Sequence, residues 1–291
     1  MILVIFGPTG SGKTDVAVKL AHHFDAPIIN ADAFQIYQDM NIGTNKISQD
    51  DPDYKRHYLL DIKTPSESYS VKDYQDDFRK VYEELSKKYQ NIIVSGGTGL
   101  YIRAALFDYK FLDEEESKND YSSYTNEDLF KKLEELDVEA SKKIHVNNRK
   151  RLIRALDLVT SNGIKKSDLI ASQEHKIIYP DVEFIFLNPD REELYESINK
   201  RVDKMIASGL VEEVKNLKEK YELSTTARQA IGYKEILDYL DWQNTLEDAV
   251  ELIKKRTRNY AKRQVTFFKN QFNSHVFSSK NAILKEFIKN E

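Results

Sequence analysis

The run Gly7-Pro8-Thr9-Gly10-Ser11-Gly12-Lys13-Thr14 fits the spacing G-x-x-x-x-G-K-[ST]. In that spacing the backbone curls until several N–H groups face one anion, at the positive end of the helix that follows. Gly7, Thr9, Gly10, Ser11, Gly12, Lys13 and Thr14 therefore form a candidate phosphate-binding set. Lys13 supplies countercharge for the terminal phosphates, and the Thr14 hydroxyl is placed to ligand Mg2+. Most loops of this kind are ATP-binding or otherwise nucleotide-binding, and usually an acid ends a second apolar strand nearby. Here the candidate strand, residues 91–95, ends in Ser95 and runs into Gly96-Gly97-Thr98-Gly99. A hydroxyl in place of that acid argues for a kinase-like transferase pocket rather than a motor or GTPase.

Asp32 lies just beyond a second β-rich run, in Asn30-Ala31-Asp32-Ala33. Strand ends in parallel sheets face the ligand crevice, so an acid there suits a general base or an outer ligand of magnesium. The plainer role is an N-cap for the next turn.

Composition removes other chemistries. With no cysteine, the chain has no disulfide, thiolate zinc site, iron–sulfur cluster or cysteine nucleophile. The six histidines are scattered, and the adjacent pair His22 and His23 would not share a helix face. Hydrophobic residues at 40% and charged residues at 32% fit a folded soluble protein. No apolar run approaches the ~20 residues that span a bilayer, and the opening ILVIF is too short for a signal-peptide core. The expectation is a cytoplasmic protein without a membrane partner, a monomer by default. The net charge of −4 hides segregation. Acids outnumber bases twelve to four over residues 108–139, whereas residues 149–154 hold four bases and residues 254–269 seven, with no acid in either stretch.

Short apolar runs at residues 2–6, 27–30, 91–95 and 182–187, with a weaker one at 57–62, alternate with segments of helical period. This pattern predicts an α/β fold, a P-loop NTPase-like parallel sheet flanked by helices. Helices are expected over 14–24, 70–89 (with Ser70 as N-cap), 126–137, 149–160 and 246–272, and an acidic loop over 113–124. From Asp190 onward everything reads as helical. The β signals stop for about seventy residues after Leu106, predicting a small helical insertion domain over 109–180 within a catalytic core of 1–108 and 181–291.

In this order the segments resemble the tRNA dimethylallyltransferase (isopentenyltransferase) family. The likeness runs through GPTGSGKT (7–14), NADAFQIYQDMNIGTNK (30–46), RHYLLDI (56–62), SYSVKDY (68–74) and SGGTGLYIRAAL (95–106). It continues through KIHVNNRKRLIRAL (143–156), RVDKMIASGLVEEV (201–214), ARQAIGYKEILDYL (227–240) and TRNYAKRQVTFFK (257–269). The sequence departs from common family usage at Gly10, where alanine is frequent, and at Lys150, where glutamine is frequent. Without cysteine it also lacks the zinc finger of eukaryotic relatives, which points to the bacterial type.

The resemblance implies transfer of a dimethylallyl group from dimethylallyl diphosphate to N6 of the adenosine 3′-adjacent to the anticodon, in the anticodon stem-loop of tRNA. The 7–14 loop and Mg2+ would then hold diphosphate rather than ATP. Asp32 matches the catalytic acid that takes a proton from the amine, assistance typically worth ~10²–10⁴ in rate. Thr98 and Arg103 match catalytic positions that hold the diphosphate or its transition state. Arg201 joins the diphosphate-binding set, its role and that of Arg228 left open between diphosphate, RNA and neither. Asp32, Ala33, Phe34 and Gln35 fall where the extruded adenine is held. Arg149, Lys150, Arg151 and Arg154 in the insertion, and Lys254, Arg258, Lys262 and Arg263 in the last long helix, are candidate tRNA contacts. Tyr260, Phe267 and Phe268 interleave with the latter, either as stacking platforms or as a core-facing stripe. An enzyme alkylating free AMP or ADP, a small-molecule kinase and a non-catalytic RNA-binding module are the alternatives.

Overall fold

A computed structural model describes residues 1–111, 119–172 and 175–288. Of the acidic loop expected over 113–124, residues 113–118 lie outside them. The chain divides by contacts into one unit of Met1–Leu106 with Tyr179–Glu291, and a second of Phe107–Ile178.

The larger unit is built on six strands, β1 (Ile2–Phe6), β2 (Ile28–Asn30), β3 (His57–Tyr58), β4 (Ile92–Gly96), β5 (Val182–Leu187) and β6 (His275–Phe277). They pair in parallel in the order β3-β2-β4-β1-β5-β6. All five residues of β1 are buried, because both sheet faces are covered. Leu3 and Ile5 face one way, into a cluster with Val16, Leu20, Ile93, Ile185 and Ile283. Phe6 faces the other, its ring 5.4 Å from Phe186, 4.9 Å from Phe268 and 5.1 Å from Phe272. The apolar run at 2–6 is continuous for this reason, whereas β5 opens with the partly exposed Val182 and Glu183 and is buried from Phe184 to Leu187.

Helices α1 (Lys13–His23), α2 (Val71–Ser86) and α3 (Gly99–Leu106) connect the first strands. At the start of α2 the Ser70 hydroxyl accepts from Asp73 N–H, and the Asp73 side chain accepts in return from Ser70 N–H. Tyr74, Phe78 and Leu85 then face the core. In the second unit, α4 (Asn126–Leu136), α5 (Val138–Ser141), α6 (Arg149–Asn162) and α7 (Lys166–Ala171) enclose a core of Leu129, Leu133, Leu152, Ala155 and Leu156. The larger unit resumes with β5 and continues through α8 (Arg191–Ala207), α9 (Leu210–Lys220), α10 (Thr225–Arg228), α11 (Tyr233–Leu240) and the 26-residue α12 (Leu246–Gln271), ending in β6 and α13 (Lys280–Phe287).

Two expectations are corrected. The chain beyond Asp190 is not all helix, because residues 275–277 add β6 beside β5. Three residues, two of them exposed, give too short a run to read as a strand. The strand expected over 57–62 stops at Tyr58, because Leu59 (φ 62°) and Asp61 (φ 54°) adopt the left-handed backbone, which a strand cannot contain.

Candidate functional site

The neighbouring strands β2, β4 and β1 end on the same side of the sheet, so the loops that follow them meet there. The loop after β1 opens α1 through Gly12, whose φ of 87° a residue with a Cβ would adopt only under strain. The loop after β2 carries Asp32. Its shape comes from Asn30, whose side chain accepts from Asp32 N–H at 3.1 Å and donates to the carbonyls of Asp32 (3.2 Å) and Leu59 (3.0 Å). The Asp32 carboxylate accepts from Phe34 N–H at 3.0 Å with one oxygen. The turn after β4 is tied to this loop twice. Thr98 N–H donates to the Ala31 carbonyl at 3.0 Å, and the Thr98 hydroxyl oxygen accepts from Ala33 N–H at 3.0 Å.

A residue on α12 joins the remaining pair of loops. Gln264 is only 6% exposed; its side-chain oxygen accepts from Thr9 N–H at 2.9 Å and its nitrogen donates to the Gly97 carbonyl at 2.8 Å. One turn earlier, Tyr260 lies close to Thr98 and Gln264 and feels the charge of Asp32. Burial, with Asp32 next, pushes its hydroxyl well above the ordinary tyrosine range.

Two cavities adjoin at this point. A polar one of about 50 Å3 is lined by Lys13, Thr14, Asp32, Gln35, Ser95 and Arg201 among others. A larger one of about 260 Å3 shares Thr9, Asp32, Thr44 and Arg201, and its wall turns apolar through Val202, Met205, Ile231, Tyr233 and Ile253. Lys13 retains a little accessible surface but is packed around by protein. Burial lowers its pKa to about 8, opposed by the charge of Asp32 and reinforced by that of Arg201. Burial likewise lowers Arg201, and Asp32 opposes the effect. Two cations crowded beside a single carboxylate form an electropositive pocket suited to an anion.

Among the residues singled out from sequence, Lys13, Thr14, Asp32, Gln35 and Arg201 line the polar cavity, and Thr9, Asp32, Phe34 and Arg201 the larger one. Gly10, Ser11 and Gly12, within the 7–14 loop, line an open groove of about 1200 Å3 together with Lys13, Thr14 and Arg201. Gly7 and Ala33 serve through their backbones, since a Cβ on Gly7 would lie 2.4 Å from the Leu187 carbonyl and Ala33 N–H is bonded to Thr98. Thr98 acts here as a tie between loops. Arg103 is not among the residues lining these cavities; its guanidinium donates to the side-chain oxygen of Gln271.

The basic residues differ in what they offer. On α12, Lys254 pairs with Asp203 at 2.9 Å and Glu251 at 3.1 Å, and Arg258 donates to Asn199 at 2.6 Å. Lys262 and Arg263 are exposed, the latter 5.7 Å from the Tyr260 ring. Phe268 is fully buried in the Phe6 cluster, and half-buried Phe267 packs 6.3 Å from it, so this pair belongs to the core-facing stripe. In the insertion, Arg149 donates to the carbonyls of Tyr121 (2.6 Å) and Tyr124 (2.8 Å), which makes it a clamp within that unit. Lys150, Arg151 and Arg154 are exposed. Burial and then the charges of Arg154 and Arg151 lower the pKa of Lys166, which marks a further base beside them.

Sequence reading missed Gln264, Tyr233 and Glu213. Gln264 had a signal, a polar residue on the stripe of Ile253, Ala261 and Phe268 that α12 buries. Glu213, on a charged helix, had none.

A family model described as IPP transferase matches residues 35–271. A tRNA dimethylallyltransferase of Bacillus mycoides (strain KBAB4) is 43% identical over 277 residues, covering 93% of this chain and 87% of the relative. The full-length tRNA isopentenylpyrophosphate transferase of Bacillus halodurans superimposes with a TM-score of 0.74 at 36% identity, covering 99% and 93% of the two chains. A eukaryotic dimethylallyltransferase, described as acting on tRNA, gives a TM-score of 0.82 at 28% identity over 98% of this chain and 75% of that one. Matched in sequence across nearly its whole length and in the fold that brings Lys13, Asp32 and Arg201 together, the chain belongs to the IPP transferase family.

Proposed function

We propose that this chain is a transferase that moves a dimethylallyl group from dimethylallyl diphosphate to N6 of the adenosine 3′-adjacent to the anticodon of tRNA, releasing diphosphate. The observation that carries the reading is the adjoining pair of cavities, one polar and cationic and one largely apolar, with Asp32 on the wall of both. Lys13 and Arg201 hold the diphosphate, together with the N–H groups of the 7–14 loop. Their charge stabilises the leaving group as negative charge gathers on it. The apolar wall takes the five-carbon group and excludes water from the reacting carbon. The C1–O bond of the allylic diphosphate breaks, the N6–C1 bond forms, and the amine proton passes to the Asp32 carboxylate. Gln35 and Phe34, on the same loop, orient the adenine. Thr98 and Tyr260 fix that loop and its surroundings, and Arg103 steadies the far end of α12 through Gln271.

Mg2+ fits this site as a guest of the diphosphate. The protein offers oxygen donors around the small cavity, the hydroxyls of Thr14 and Ser95 and the Asp32 carboxylate. No group of three or more His, Cys, Asp or Glu among the described residues could hold a metal on its own. That donor set matches a hard ion that keeps waters and phosphate oxygens, with Thr14 as its protein ligand. When bound, the ion would neutralise charge on the departing diphosphate.

Among the described residues no helix is long and apolar enough to cross a membrane. We take the enzyme to work as a cytoplasmic monomer that binds the anticodon stem-loop of tRNA; the candidate contacts are Lys262 and Arg263 in the larger unit and, taken separately, Lys150, Arg151 and Arg154 in the insertion. The test is incubation with labelled dimethylallyl diphosphate, Mg2+ and unmodified tRNA, with AMP and ADP as parallel acceptors. Label on the adenosine following the anticodon is expected. Label in AMP or ADP alone, or none anywhere, refutes the assignment.

A further inference from the structure

Two residues that the proposed reaction assigns to opposite substrates share one hydrogen-bond acceptor. The Thr44 carbonyl accepts from the Gln35 side chain at 3.1 Å and from Arg201 at 3.4 Å. Gln35 belongs to the acceptor side, on the loop after β2, and Arg201 to the diphosphate side, on α8. Thr44 lies in neither helix nor strand, so its carbonyl points only where the residues before it allow.

Those residues are gripped by Glu213 of α9. One carboxylate oxygen accepts from Asn41 N–H at 3.1 Å and Ile42 N–H at 2.7 Å. The other accepts from Gly43 N–H at 3.2 Å and the Tyr233 hydroxyl at 2.7 Å. The Tyr233 ring lies against Gly43 so closely that a Cβ there would sit 2.4 Å from a ring carbon. The Thr44 hydroxyl closes the turn by donating to the Met40 carbonyl at 2.7 Å. Three successive N–H groups aimed at one spot form an anion nest, and here the anion is a side chain of the protein itself.

We infer that Glu213 is a positioning residue for the transfer reaction, holding Asn41–Gly43 so that the Thr44 carbonyl sets Gln35 and Arg201 together. The inference rests on the reaction proposed above. Gln35 also donates to the Asn45 carbonyl at 3.4 Å, so donor and acceptor binding both depend on the turn that carries Thr44 and Asn45. Loss of Glu213 impairs both, whereas a carboxylate that only stabilised the fold would leave both unchanged in the folded enzyme.

The experiment compares wild type, Glu213→Ala and Glu213→Gln. It measures KM for dimethylallyl diphosphate and for tRNA, calorimetric affinity for inorganic pyrophosphate, and the thermal midpoint. In Glu213→Ala, folded at the assay temperature, both KM values rise about tenfold and pyrophosphate affinity falls by a similar factor, while Glu213→Gln, which keeps one acceptor oxygen, recovers part of each. Values within about twofold of wild type, or a change confined to one substrate, overturn the inference. If Glu213→Ala does not fold, Glu213→Gln decides by the same criterion. If wild type transfers nothing to tRNA, the reaction assignment fails separately. The affinities for pyrophosphate and for tRNA then still judge Glu213: both weakened supports the inference, and either one unchanged overturns it.

Discussion

Replacing Gln264 tests whether α12 holds the catalytic loops in register. Gln264→Leu keeps nearly the same volume, so no cavity opens, but it removes the acceptor for Thr9 N–H and the donor to the Gly97 carbonyl. Leaving a buried polar group without its partner costs roughly 1–3 kcal/mol, with less-buried groups at the low end. Thr9 N–H is partly buried and the Gly97 carbonyl fully so, which gives an expected loss of about 2–4 kcal/mol in chemical denaturation at neutral pH. Gln264→Glu sharpens the test. A carboxylate would still accept from Thr9 N–H but would face the Gly97 carbonyl oxygen, whereas the protonated acid could donate to it. Folding then favours the neutral form, so the variant's folded pKa lies above the unfolded value of about 4.3. Its stability relative to wild type is therefore greatest below that value and is lost as pH rises through the folded pKa. The assay is denaturation of wild type and both variants at several pH values between acid and neutral. A Gln264→Leu variant within about 0.5 kcal/mol of wild type, or a Gln264→Glu difference flat with pH, would show that α12 does not brace these loops.

Further outcomes follow from other parts of the molecule. Gly43→Ala drives a Cβ into the Tyr233 ring and is expected to cost about 1–3 kcal/mol and to raise KM for both substrates; an unchanged thermal midpoint with unchanged KM would contradict the packing. In the insertion, Asp137 is 1% exposed and its carboxylate accepts from Ala140 N–H at 3.0 Å and Ser167 N–H at 2.9 Å. Burial raises its pKa, but these hydrogen bonds more than offset that and hold it below the usual carboxylate value. Its contribution is therefore present above the ordinary carboxylate range and disappears as pH falls through the lowered folded value, so amide protection in α5 and α7 should drop in acid for wild type, and already at neutral pH for Asp137→Ala. Removing Lys262 and Arg263 together should weaken tRNA binding and lower the slope of log K against log salt by about 1 for each phosphate that is no longer neutralised. Lys254→Ala, which removes a base already paired with Asp203 and Glu251, should change the slope less, and the reverse order would mean that α12 meets RNA along a different face.

What was legible in the sequence follows from burial. The run at 2–6 announced a strand because both faces of β1 are covered, so an uninterrupted apolar string was required, and β5 was announced by Phe184–Leu187, all four of them buried. Ser70 announced the start of α2 because a cap must satisfy N–H groups that the helix cannot. β6 carries two exposed residues and pairs with β5 alone, which left too little signal. The early end of β3 depends on left-handed backbone at Leu59, which leucine does not favour, and at Asp61, which aspartate tolerates better. Around the candidate site, motif residues such as Lys13 and Asp32 could be named from spacing. The residues that hold the loops could not. Gln264 and Glu213 act across sequence separations of 255 and 170 residues, and Tyr233 reaches Glu213 from a neighbouring helix, so these pairings exist only once the fold has brought the elements together. Arg149 shows the converse, a basic residue whose local context suggested RNA and whose guanidinium instead closes the turn around Tyr121 and Tyr124.

The central claim is that Asp32 takes the proton while the cations around it hold the diphosphate. Single-turnover transfer of labelled dimethylallyl to unmodified tRNA, run with wild type and Asp32→Asn alongside tRNA affinity, tests it most directly. The expected rate is at least about a hundredfold lower for the variant, with tRNA affinity nearly intact, because the lost interaction acts in the transition state. A variant that transfers at the wild-type rate, or one whose defect lies wholly in tRNA binding, would contradict it.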